Sequence, residues 1–215
     1  MLENLLSFLR RESPELVRLR RFRARVKELE REAKDAPPDR RARLYNQVGD
    51  LCMKEGEYER ALSRFGRAID AYVEAGHLDA APALCQKVIR LAPDVVRTRA
   101  TLATLLLANG LHNEAEQQIG EYVHAARAAE QEALASRRLQ LMAAATANEH
   151  VRITVGEYLL ELDDAQAADA VFGDVLAERN GLKRAPATDD HERVDQLLHL
   201  ARMGPAELVT ELPLA

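Results

Sequence analysis

Residues 45–69 read YNQVGDLCMKEGEYERALSRFGRAI, and the spacing of small and large side chains within them decides the fold. Tyr45, Val48, Gly49 and Cys52 fall at i, i+3, i+4 and i+7, one face of a helix, while Ala61, Phe65 and Ala68 stripe a second. Gly56 separates the stripes, and a glycine just past a helix end tolerates the left-handed backbone that a tight reversal needs. Gly49 and Ala61 leave hollows that Tyr58 and Phe65 can fill, so the two helices are expected to pack closely as a hairpin.

The same spacing recurs along the chain. Helix 58–75 is followed by Gly76, His77-Leu78, Ala81, Cys85, Val88 and Leu91-Ala92-Pro93, so it is expected to serve two overlapping hairpins. A third match covers 96–129, with Leu102-Ala103, Leu106, Gly110, Ala115, Ile119 and Tyr122, although Arg99 stands at its first large position. A fourth covers 149–182, with Val155-Gly156, Leu159, Ala168, Phe172 and Val175, but with Asp163 and Ala165 at the turn. Between them, 130–147 is Ala-rich and carries Leu134, Leu139, Leu141 and Met142 without a repeat register; it reads as an extra helix or an extension of its predecessor.

The motif of Tyr45, Val48-Gly49, Cys52, Gly56-x-Tyr58, Ala61, Phe65 and Ala68 resembles the tetratricopeptide repeat (TPR), with Tyr in place of Trp and Val in place of Leu. The resemblance spans 42–182 and implies an all-α, right-handed α-solenoid of stacked TPR-like hairpins, with N- and C-terminal helices. It also implies a concave groove lined by the first helix of each repeat. The lining would be Arg43, Asn46, Asp50 and Met53, then Arg97, Ala100, Thr104 and Leu107, then His150, Ile153, Glu157 and Leu160. Repeats that grip the C-terminal carboxylate of chaperones carry Lys and Asn where this chain has Asn46 and Asp50. An aspartate repels a carboxylate, which argues against that role.

The flanks read differently. In 1–35, Leu2, Leu5, Leu6, Phe8 and Leu9 share one side of a short amphipathic helix, and Ser13-Pro14 starts a second. That second helix carries Leu19, Phe22, Val26, Leu29 and Ala33 at 3-4-3-4 spacing, a seam that caps the first repeat or joins two copies of the chain. Seven cations, Arg18, Arg20, Arg21, Arg23, Arg25, Lys27 and Arg31, lie between the seam residues: a solvated face, or a surface for an acidic partner or membrane. At the other end, 188–215 reads as a capping helix with Val194, Leu197, Leu198 and Ala201 apolar, then a tail with Leu208, Val209 and Leu212.

The chain of 215 residues has a formal net charge of -5, which argues against nucleic acid as its partner. No stretch is apolar and long enough to span a membrane, although 2–11 could touch one peripherally, and no cleavable leader is evident. A bacterial-looking, cytoplasmic protein is expected. Cys52 and Cys85 sit at apolar repeat positions as buried thiols. His77, His112, His124, His150, His191 and His199 never take zinc spacing, and there is neither a phosphate loop nor a nucleophile elbow. No metal, cofactor or catalysis is expected. The expected function is a protein–protein scaffold or adaptor that binds a peptide or amphipathic helix in its groove. The alternatives are a TPR-type export chaperone, or a homo-oligomeric structural element assembled through Leu19, Phe22, Val26 and Leu29.

Overall fold

The structure, a computed structural model, describes residues 13–182 and 190–204. The expected helix at 2–11, the linker at 183–187 and the tail at 206–215 lie outside the described residues. The described chain is helical throughout, with no strand: α1 Pro14–Lys34, α2 Pro38–Lys54, α3 Tyr58–Glu74, α4 Ala80–Leu91, α5 Val96–Ala108, α6 His112–Ala128, α7 Glu132–Ala145, α8 Glu149–Glu161, α9 Ala165–Arg179 and α10 Asp190–Arg202. It divides into two compact units, Met1–Ala71 and Tyr72–Ala215, so the division falls inside α3.

Local chemistry sets the helix ends. The Ser13 hydroxyl accepts the Leu16 amide at 3.2 Å with Pro14 in the first turn; the Asn148 and Asp164 side chains cap α8 and α9 by accepting from Val151 and Ala167. The reversals share one closure. After α2, Gly56 donates to Met53 and Glu57 to Cys52, the paired bonds of a Schellman turn, and the pattern repeats after α3, α5, α6, α8 and α9. The left-handed residue of each turn is Gly56, Gly76, Gly110, Glu130, Asp163 or Gly181. Gly56, Gly110 and Asp163 close equivalent turns, as do Gly76, Glu130 and Gly181, so the chain repeats about every 54 residues, three helices at a time. The segment 130–147 is therefore a separate helix that begins after an ordinary repeat turn, with Glu130 where the other turns of its set have glycine.

In the first unit, α1 packs along α2, and Phe22, Val26 and Leu29 are only 7%, 1% and 2% exposed. The seam is thus occupied inside the chain, as a cap would be. Self-association through Leu19, Phe22, Val26 and Leu29 would first require α1 to leave α2. Phe65 of α3 fills the hollow at Gly49, where a Cβ would collide with the ring. Tyr58 does not share this role, being 62% exposed: it sits at the start of α3, about two turns before Phe65.

In the second unit, sequential helices pack on their neighbours from α4 to α9, α6 also packs on α8, and α7 on α9. Alternate helices thus form two layers. Against the layer that holds α5 and α7 lies α10. With α4, α6 and α10 all touching it, α5 is buried without interruption from Ala100 to Ala108.

Candidate functional site

The face that α5 and α7 present holds the C-terminal end of α10. The last carbonyls of any α-helix lack intrahelical donors and carry the negative end of its dipole. Those of α10 are met by side chains from the two supporting helices. Arg138 of α7 donates to the Leu200 carbonyl at 3.3 Å and to the Met203 carbonyl at 2.6 Å. From α5, the Thr101 hydroxyl donates to the Ala201 carbonyl and Arg97 to the Arg202 carbonyl, both at 3.1 Å. Below this polar rim, Leu197, Leu200, Ala201 and Met203 bury the apolar side of α10.

Arg138 is 2% exposed, and burial pulls its guanidinium below the ordinary arginine value; the nearby Tyr122 works against this and the Arg97 charge adds to it. Tyr122, buried beside it, is itself pushed up to about 12 by desolvation. Among the described residues no carboxylate pairs with Arg138, which donates to the two carbonyls. A buried cation without partners is strongly destabilising, so the dipole end of a helix is what this position requires. Packing around the occupant is incomplete: a cleft of about 180 Å³ remains, lined by Leu141, Ala144, Ala145, His199, Leu200 and Met203 among others.

The groove residues expected from sequence lie on α2, α5 and α8, and within the second unit α5 and α8 do not share a layer. Arg43, Asn46, Asp50 and Met53 belong to the first unit, where Arg43 is exposed and pairs with Asp39 at 2.8 Å. Asn46, Asp50 and Met53 are half-buried, and the Asn46 side-chain oxygen is enclosed without a partner. In the second unit, Ala100, Thr104 and Leu107 are buried, and the Thr104 hydroxyl is spent on the Ala100 carbonyl of its own helix. Arg97 remains at the surface and takes part in holding α10. On α8, His150, Glu157 and Leu160 are exposed and Ile153 half-buried; His150 lies 3.5 Å from Glu116 of α6. The reason is geometric: equivalent helices of a three-helix repeat fall in opposite layers when layers alternate helix by helix. So α5 stands with α7, and its counterpart α8 with α6.

Sequence reasoning passed over Arg138, Thr101 and Leu200. One signal was present. Ala135, Arg138, Leu139 and Met142 fall at i, i+3, i+4 and i+7, which puts an arginine on the apolar face of its helix and marks it for burial with a partner. A second hollow, of about 270 Å³, lies among α7, α8 and α9, where Arg152 pairs with Glu178 at 2.7 Å while its Nε has no partner. Among the described residues no cluster of His, Cys, Asp or Glu could hold a metal, and no helix is long and apolar enough to cross a membrane.

The chain matches no protein-family model, and no curated protein matches it significantly.

Proposed function

We propose that the chain is a cytoplasmic, non-catalytic adaptor, a right-handed solenoid of the tetratricopeptide type, that binds an amphipathic helix of another protein on the α5–α7 face. The observation that carries this reading is that the face already holds a helix, α10, by contacts most of which any helix could make. Arg138, Arg97 and Thr101 address backbone carbonyls, which every helix C-terminus offers; the apolar row beneath them selects by side-chain shape. A partner helix with large apolar residues where α10 has Leu197, Leu200 and Met203 would satisfy the same groups. The cleft left beside α7 gives room for a bulkier one.

The test uses a fluorescent peptide copying residues 188–204 and the chain carrying Leu197→Glu and Leu200→Glu, which places two charges on the buried side of α10. Saturable binding, at about micromolar affinity, is expected for this variant and not for the unaltered chain. Adding Arg138→Ala should weaken it by about tenfold or more, the worth of losing charge-assisted hydrogen bonds. A variant that stays fully helical yet does not bind the peptide would refute the proposal.

A further inference from the structure

The three carboxylates in the second half of α1 are all taken up by arginines: Glu28 by Arg25, Glu32 by Arg40, and Glu30 by both Arg60 and Arg64. A row of cations lies along the same helix. Arg20, Arg23, Lys27, Arg31 and Lys34 are all exposed, and at 3-4-4-3 spacing they fall within one arc of about 80° and extend about 21 Å along the helix. Of these, Arg23, Lys27, Arg31 and Lys34 have no ion-pair partner among the described residues. Lys27, Arg31 and Lys34 also line a shallow cleft with Ala24, Glu28 and Glu30. In line with the row, at the start of the same helix, stands Leu16, a large apolar side chain 59% exposed.

We propose that this stripe docks the chain on an anionic lipid surface, with α1 lying in the plane of the headgroups. A straight row of cations on one narrow arc matches a plane of phosphates. It matches a nucleic acid poorly: the chain as a whole is negatively charged, and the one aromatic of α1, Phe22, is buried and cannot stack on a base. An acidic protein would need an apolar anchor within the stripe, where only Ala24 lies close by. A bilayer instead takes its apolar contact at the end of the row. There Leu16, a large exposed side chain, points the same way as the cations. Electrostatic attraction combined with an inserted apolar side chain supports reversible peripheral attachment.

The experiment is co-sedimentation of the full chain with vesicles of phosphatidylcholine alone, and with phosphatidylglycerol as about a third of the lipid. The chain should pellet with the anionic vesicles and not with the neutral ones, and added salt should release it. The combined variant Arg23→Gln, Lys27→Gln, Arg31→Gln and Lys34→Gln alters only exposed side chains. It should bind on the order of a hundredfold more weakly, while Arg90→Gln with Arg127→Gln, exposed cations elsewhere, should bind as the parent does. Three results would overturn the proposal: equal pelleting with neutral vesicles, binding that survives neutralisation of the stripe, or tighter binding to duplex DNA or to an acidic polypeptide than to the anionic vesicles at the same ionic strength.

Discussion

Arg138 shows how one side chain can make a position specific for the end of a helix. Burying a guanidinium costs several kcal/mol, and a carboxylate partner is the usual compensation. Here two backbone carbonyls at the negative end of α10 serve instead, so the charge is balanced only while a helix is in place. Glu130 illustrates the opposite situation, a residue at odds with its backbone. At φ 54 it occupies the left-handed position of the turn between α6 and α7, where Gly76 and Gly181 close the equivalent turns. A side chain there costs about 1 kcal/mol relative to glycine. Glu130→Gly should therefore raise the free energy of unfolding measured by chemical denaturation by about 1 kcal/mol, with no change in helix content. Unaltered or lowered stability would show that the Glu130 side chain makes a compensating contact.

Among the elements, α1 has two faces with separate tasks. Its apolar face packs on α2, and Glu30 ties it to α3 through Arg64 at 2.7 Å and Arg60 at 3.4 Å. Burial on its own raises the Glu30 pKa, but the bond and charge of Arg64 and the charge of Arg60 outweigh it and hold the carboxyl below its ordinary value of 4.5. A carboxyl depressed in the folded state contributes stability above its unfolded pKa, and the contribution disappears as pH falls through the folded value. Acid should thus loosen α1 below about pH 4.5, and Glu30→Gln should remove that part of the pH dependence while lowering stability at neutral pH. Hydrogen exchange of α1 amides across that range reads it directly.

The elements also mark where sequence is informative. The α2–α3 hairpin is legible because Gly49 and Phe65 meet within one local motif, and the capping of α1 by Ser13-Pro14 is equally local. The turn at Glu130 was concealed because its left-handed residue is not glycine, which left 130–147 without a recognisable start. The packing of α5 is hidden from sequence for a different reason. Ala100, Thr104 and Leu107 would line an open groove if only neighbouring helices were considered. Instead a helix about a hundred residues further along packs on α5, and nothing in the sequence of α5 reports that.

Over the whole molecule, charge and occupancy matter more than any single motif. Residues 1–41 carry 12 Lys and Arg against 8 Asp and Glu, while the chain as a whole has a net charge of -5. Positive charge is thus concentrated where α1 lies, and the helix-receiving face is in the second unit. The membrane docking and the helix recognition proposed above thus fall to different parts of the chain and are expected to be altered independently. As an occupant of the α5–α7 face, rather than an inseparable part of the second unit, α10 is expected to leave without unfolding the helices that hold it. Hydrogen exchange followed by mass spectrometry on the full chain, with and without Arg138→Ala, tests it most directly. If α10 is an occupant, its amides open at lower free energy than those of α6, α8 and α9, and Arg138→Ala strips protection from α10 while leaving those helices unchanged. If α10 and the other helices exchange together, and lose protection together in the variant, α10 is a structural member of the unit and the receptor account is wrong.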